Sequence, residues 1–458
     1  MKRYHKNATL TAALLAATLQ TPLAGAAVTY LGSTSLGGFD LSGLTGALED
    51  GTPQNQLGAL GSAIAWAGGN TYIVTPDRGP NATNYNPAID NTTSYIERFH
   101  ELNISVTADA SSSTGYSVSA SLTKTTLLSS ATPLVGAATA NNPDKTYFTG
   151  LSTGYDAANS SNSMRLDAEG VRVSNDGKSV FVSDEYGPHV YEFDRATGER
   201  IRSFDLPANL NVAHPGSTET GEIAANTSGR VTNKGMEGLA ISPDGTTLYG
   251  IMQSPLLQDN ALNASGKKNG TDVRIVKIDI ATGATQEFVY VLSNKSNTIS
   301  EIVALNDHEF LVDERDGNGG AGTVKNIYKI DIDGATDVSN IASLPASGLP
   351  SGVTAVSKSS NILLNLSAIL GANTPEKIEG LAFGPDLADG RHLLLITNDN
   401  DFLAGQPNNI YAFAVSDSDL PGFQAQQIEA VPVPASLPLL MSAVGLVGGV
   451  ARLRNRRA

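Results

Sequence analysis

Five stretches of the chain repeat one arrangement of apolar and polar positions. Each begins with a short apolar or alternating run, breaks at a polar turn, and continues through a second apolar run that ends in charged or amide residues. They occupy residues 62–79, 167–185, 236–253, 300–315 and 378–399. Apolar residues at a spacing of two predict strands that bury one face, and Asp-Gly pairs such as Asp176-Gly177 and Asp244-Gly245 predict the hairpin turns between them. Several copies add a third strand closed by its own turn, at 190–198, 273–283 and 327–334, and a fourth follows at 200–204. Four antiparallel strands per repeat make a propeller blade, and five copies are too many for one β-sandwich.

The expected fold is therefore all-β, a β-propeller of about six four-stranded blades (five to seven). Residues 28–50 or 340–376 are candidates for the sixth, and Phe39 to Gly46 reads as a degenerate repeat start. The polar stretches 105–143, 211–231 and 257–271 read as loops or a small insertion between blades.

The ends of the chain follow different rules. Met1-Lys2-Arg3-Tyr4-His5-Lys6, an apolar stretch over 10–19 and the small residues Ala24-Gly25-Ala26 have the three parts of a secretory signal peptide, expected over 1–27. About ten apolar residues are too few to span a bilayer. At the other end, Val431-Pro432-Val433-Pro434-Ala435 precedes an apolar run over 437–451 and then Arg452, Arg454, Arg456 and Arg457. This tail resembles a VPxPA-type sorting signal of Gram-negative bacteria. The resemblance implies a short apolar helix in the inner membrane, recognised by an exosortase-type transpeptidase, with the arginines on the cytoplasmic side. A plain C-terminal membrane anchor is the alternative. The expected domains are 1–27 signal peptide, 28–430 propeller and 431–458 tail, in a protein of the periplasm, outer surface or extracellular space.

Charge and cysteine narrow the chemistry. The whole chain carries a net −15, while the two ends hold only basic charges, so the folded body is more acidic still. Such a surface repels nucleic acid and favours cations. It also repels an anionic substrate unless a metal or arginines invert the local field. The chain has no cysteine, which excludes disulfides, thiolate catalysis and cysteine-bound metal.

Candidate chemistry lies at corresponding points of the repeat. Glu169, Glu237, Glu301 and Glu379 each stand at the start of the first strand, beside the expected channel, and Gly170, Gly238 and Gly380 follow three of them. Gathered on one axis, these carboxylates must protonate, pair with cations or bind a metal, unless they serve only to fix blade packing by accepting from backbone amides. After the second strand come Asp77-Arg78, Asp184-Glu185, Asp313-Glu314-Arg315 and Asn398-Asp399-Asn400-Asp401. This oxygen-rich set suits Ca²⁺, with Glu169, Glu237, Glu301, Glu379, Asp77 and Asp399 as candidate ligands. Arg78 and Arg315 are candidate oxyanion clamps, and Asp184 or Glu185 a candidate general base. Solvated turn chemistry is the plainer reading of the same residues. Gly150-Leu151-Ser152-Thr153-Gly154 matches the serine-hydrolase pattern but has no strand-to-helix context, and the six histidines show no zinc spacing. His189, close to the Asp184-Glu185 turn, is the histidine to test.

The ordered set Pro76-Asp77-Arg78-Gly79-Pro80, Asp167-Ala-Glu169-Gly170, Ser183-Asp184-Glu185-Tyr186-Gly187-Pro188, Asn233-Lys-Gly235-Met-Glu237-Gly238, Ser254-Pro255-Leu256-Leu257, Asp313-Glu314-Arg315-Asp316-Gly317 and Lys377-Ile-Glu379-Gly380 resembles the phytase-like, "esterase-like activity of phytase" family of propellers. Gln253 departs from it, standing where an acid is more usual. The resemblance implies an ester hydrolase; with the carboxylate ring it gives the expectation of a metal-assisted, calcium-dependent phosphoester or ester hydrolase, a monomer acting on a small-molecule ester. Two alternatives stand beside it: a non-enzymatic surface or matrix propeller, and a lactonase-like hydrolase.

Overall fold

The computed structural model describes residues 28–429, apart from 84, 85, 90, 347 and 404. The expected signal peptide and C-terminal segment lie outside these residues. Among the described residues no helix is long and apolar enough to cross a membrane.

The chain first lays down β1 (Val28–Leu36), then builds four blades in sequence order. The first is β2 (Ala63–Trp66), β3 (Thr71–Thr75), β4 (Arg98–Ala108) and β5 (Tyr116–Leu127). The second is β6 (Ala168–Val173), β7 (Ser179–Asp184), β8 (His189–Asp194) and β9 (Arg200–Phe204). The third is β10 (Met236–Ile241), β11 (Thr247–Met252), β12 (Asp272–Asp279) and β13 (Thr285–Val291). The fourth is β14 (Thr298–Ala304), β15 (Glu309–Arg315) and β16 (Lys325–Asp331), edged by the two-residue strands β17 (Ser357–Lys358) and β18 (Leu364–Asn365). The fifth is β19 (Lys377–Phe383), β20 (His392–Asp399) and β21 (Asn408–Val415), with β1 as its outer strand.

Five blades thus make the ring, the lower end of the expected range. The two segments held for a sixth are spent on existing blades. Residues 28–36 pair antiparallel with β21 from Val28 opposite Val415 to Leu36 opposite Asn408, closing the ring with the chain's two ends. Residues 340–376 supply β17 and β18 on the edge of β16. Phe39 to Gly46 forms no strand; Asp40 instead turns inward as the buried partner of Arg98. The polar stretch after residue 105 contains the long strand β5, whose Ser and Thr residues alternate with apolar ones that face the neighbouring core.

Apolar residues from facing blades pack in four large clusters, between blades one and two, one and five, four and five, and across two, three and four. The turns that close the inner hairpins sit on the face we term lower. Gly177 and Gly245 adopt φ of 71° and 75°, which only glycine takes without strain, while Asp176 and Asp244 accept from the amides two residues on. Residues 423–429 run across that face. Gln424 N donates to Leu305 O (2.7 Å), Gln426 Nε2 to Val173 O (2.7 Å), and Glu429 N to Asn175 O (2.8 Å), while Phe423 packs on Phe383 and His392. With Ala65, Arg172, Ile241, Val303 and Leu381 they leave a space of only about 50 Å³, so the lower mouth of the channel is closed.

Candidate active site

At the opposite mouth, local backbone irregularity decides where the glutamates go. The pairing of β6 with β7 slips between Ala168 and Gly170, that of β10 with β11 between Met236 and Gly238, and that of β19 with β20 between Ile378 and Leu381. Each slip is a β-bulge, and Glu169, Glu237 and Glu379 are the bulged residues. The glycines that follow make room for the next blade. A Cβ on Gly170 would lie 2.8 Å from Leu239 N, one on Gly238 2.8 Å from Glu301 Cα, and one on Gly380 3.0 Å from Ile64 N. The Glu-Gly pair therefore serves two ends, a carboxylate at the mouth and close contact between inner strands.

The fourth blade breaks the pattern. Its bulge falls between Ile299 and Glu301, so Ser300 occupies the place of the glutamates and Glu301 that of the glycines. Glu301 enters the channel below the mouth, where Oε1 accepts from Leu239 N (3.0 Å) and Ile302 N (2.9 Å) and Oε2 lies 3.1 Å from Arg172 Nη2. Arg315, the last residue of β15 and paired with Thr298, donates Nε to Ser300 Oγ (2.6 Å) and Nη2 to Glu379 Oε1 (2.7 Å). One blade thus brings a cation where the others bring acids.

A second tier surrounds the bulged glutamates. Arg78 donates its backbone N (3.0 Å) and Nη1 (3.2 Å) to the Asp167 carboxylate. Lys377 donates Nζ to Asp399 (2.6 Å) and to Asp401. Gln253 Nε2 donates to Glu237 Oε1 (2.6 Å) and its Oε1 accepts from Lys234 (2.9 Å). Asp167, Glu169 and Glu185 each present one oxygen, all within 4.8 Å of one another, and Asp77, Asp399 and Asp401 do the same. Against Arg78, Lys234, Arg315 and Lys377 these carboxylates are in clear excess, and nearly all are buried. Burial first, then mutual repulsion, raises Glu169, Glu185 and Asp77 well above the usual carboxylate range; Glu379 is raised as far, by burial despite Lys377 and Arg315.

The match to known proteins fits this geometry. The family model described as "Phytase-like: Esterase-like activity of phytase" matches residues 55–402. The chain belongs to the phytase-like family. A protein of Arthroderma benhamiae described as an uncharacterized secreted protein is 32% identical over 197 residues, which cover 36% of this chain and 38% of that protein. The chain thus spans well under half the length of that curated relative. Among solved structures, the glutaminyl cyclase of Myxococcus xanthus is similar at a TM-score of 0.34 (9% identity, 85% of this chain, 97% of that one). The hydrazine synthase of Kuenenia stuttgartiensis is similar at 0.31 (13% identity, 79% and 81%). At these scores neither similarity bears on the chemistry.

In this phytase-like propeller the expected site residues divide into three groups. Glu169, Glu237, Glu379, Glu185, Asp77, Asp399 and Asp401 converge on the mouth, joined by Asp167, Lys377 and Lys234, which sequence reasoning did not single out. Asp167 and Lys377 had a signal, since each stands two residues before a bulged glutamate. Glu301 lies apart, in the channel with Arg172. Asp184 is spent on structure: it accepts from Asp167 N, Tyr186 N and Gly187 N, each at 3.0 Å, although burial still raises it to about 7. Of the two candidate bases, Glu185 is the one aimed at the ring. Arg78 and Arg315 are internal counter-ions, and Arg315 has both faces of its fork engaged, on Ser300 and Glu379. His189 is buried and held neutral, lowered to about 4 by burial, against the Tyr191 ring. Ser152 sits in a turn with no helix after it.

The donor set fits a hard divalent cation. Glu185 Oε1, Glu237 Oε2 and Glu379 Oε2 are buried with no hydrogen-bond partner among the described residues. An isolated buried carboxylate oxygen costs several kcal/mol, which a proton or a cation removes. All-oxygen ligands suit Ca²⁺ and not zinc.

Proposed function

We propose that this protein is an exported, metal-assisted ester hydrolase, with phosphoesters as its first substrate class, working at the open mouth of the channel. The single observation that carries the reading is the buried trio Asp167, Glu169 and Glu185, whose oxygens lie within 4.8 Å of one another. Asp167, Glu169 and Glu185 would hold the ion, with calcium the best match to their oxygens. Bound there, such an ion supplies positive charge for an anionic ester and lowers the pKa of water. Glu237, with Oε2 free of partners and Oε1 fixed by Gln253, is placed to accept a proton from a water between the blades. Arg315 and Lys377 pair with Glu379 and Asp399 and offset part of the burial that raises both acids, so these cations would anchor the blade-five side of the ring. Export is supported by the signal-like N-terminus and by the name of the fungal relative. Retention in a Gram-negative inner membrane by the C-terminal segment belongs to the same proposal.

The test is hydrolysis by the purified chain of phosphate mono- and diesters, carboxylic esters and lactones, with EDTA and after calcium is restored. The expected result is activity lost to EDTA, recovered with Ca²⁺, and lowered about 100-fold or more in Glu169→Gln. Full activity in EDTA and in Glu169→Gln would sink the proposal. A second reading has its own support, since Arg78, Arg315 and Lys377 are all paired within the protein. On that reading the ring takes a structural ion in a binding propeller, and calcium raises the melting temperature while no ester is cleaved.

A further inference from the structure

Beside the carboxylate ring lies a cavity of about 200 Å³, bounded by residues 254–270, by the turn at Val231 to Lys234 and by Lys295 and Asn297. Its wall carries Lys234, Lys268 and Lys295 against a single carboxylate, Glu219, with Ser254 and Asn297 as neutral polar groups. In a chain of net charge −15, cations converge here.

Lys234 and Lys268 are hydrogen-bonded to uncharged acceptors, and the charge of Lys234 also reaches Glu185 and Glu237. Lys234 Nζ donates to Asn233 O (3.2 Å) and Gln253 Oε1 (2.9 Å), and Lys268 Nζ to Ser296 O (3.0 Å). All three acceptors are uncharged. Burial, with Lys234 and Arg315 close by, lowers Lys268 to about 8, which leaves it largely charged at neutral pH. Gln253 is what keeps Lys234 available. It holds the position after the second strand that Glu185 holds in the second blade and Asp399 in the fifth. A carboxylate there would pair with Lys234 and cancel its charge; the amide links Lys234 to Glu237 without doing so.

We infer that this cavity is an anion subsite for a tetrahedral oxyanion of the phosphate class, with Lys234, Lys268 and Lys295 supplying the charge. It places a phosphate-bearing substrate against the carboxylate ring. Its role in turnover rests on the hydrolase reading, whereas its affinity for phosphate does not. The cavity has room for one such group with a few waters, and ammonium groups bind phosphate as point charges without demanding fork geometry.

The experiment is calorimetric titration of inorganic phosphate into the full chain at pH 7 in EDTA and low salt. Wild type binds phosphate, and Lys268→Gln and Lys295→Gln, both on loops, each weaken it about tenfold. Gln253→Glu weakens it comparably by pairing with Lys234, and Glu169→Gln does not weaken it. No binding by wild type, or a loss under about threefold in both lysine variants, overturns the subsite. Lysine-dependent phosphate binding in a chain that cleaves no ester keeps the subsite and removes the hydrolase. Calcium-dependent hydrolysis with no lysine-dependent phosphate binding does the reverse.

Discussion

Replacing Arg172 by methionine tests how the channel is held together. Arg172 is 4% exposed and Glu301 fully buried. From the second blade, Arg172 donates Nη1 to Ile64 O (2.9 Å) in the first blade and to Val171 O (2.7 Å), and Nη2 to Ile302 O (2.7 Å) in the fourth. It also lies 3.1 Å from Glu301, whose other oxygen holds Leu239 N of the third blade. One ion pair therefore ties the inner strands of four blades. Methionine fills similar volume but leaves Glu301, whose carboxyl burial already raises to about 8, without its cation and three carbonyls without their donor, a loss that costs about 3–5 kcal/mol. For a domain of this size that lowers Tm by roughly 4–6 °C. Adding Glu301→Gln removes the stranded charge while keeping an acceptor for the Leu239 and Ile302 amides. The double variant is therefore expected to be less destabilised than the sum of the singles by at least about 1 kcal/mol. Urea unfolding followed by the single tryptophan, Trp66 in the first blade, reads all three proteins. A cost below about 1 kcal/mol for Arg172→Met, or strict additivity in the double, would refute the reasoning.

Three further outcomes follow from the mouth. Without metal, stability should fall as pH rises from about 5 to 8, because buried acids whose folded pKa is raised, such as Asp184 and Asp313 at about 7, keep protons that the unfolded chain releases. Calcium should flatten that slope, and a flat Tm–pH profile in EDTA would show the acids to be already compensated. Glu169→Gln should abolish the calcium-induced rise in Tm while Glu301→Gln leaves it, as read by thermal melts; equal effects would put both residues in one site. Gly238→Ala should cost about 1–3 kcal/mol in urea unfolding, since its Cβ would meet the Glu301 backbone at 2.8 Å, and a neutral result would mean that the inner strands can separate.

The blades were legible because each carries its own period-two pattern and its own turn. The closing strand was not, since Val28–Leu36 looks like any lone strand until its partner β21 is known. The glutamates illustrate a finer limit. Lining up Glu301-Ile302 with the Glu-Gly pairs sets Glu301 beside Glu169 and Glu237, yet a bulge one residue earlier puts Ser300 at the mouth and Glu301 in the channel. Strand pairing decides this, and no composition of a single strand reveals it. Arg315 was read as free to clamp a substrate for the same reason: its partners, Ser300 and Glu379, come from a strand and a blade that only the closed ring brings near.

Closure of one mouth gives the molecule a polarity that the ring alone would not have. Residues 423–429 cross the lower face from Leu305 to Asn175, and the chain is at that face when it reaches Glu429. The carboxylates and the lysine cavity lie at the other end. Residue 429 therefore stands on the face opposite the site. Below the mouth, the Arg172–Glu301 pair lies in the channel, so on the proposed reading the upper opening would serve substrate, ion and water alike. Fixed cations around that opening then matter more than they would in an open channel. An anionic ester approaching a strongly acidic body meets favourable charge at the lysine cavity first, and the ring second.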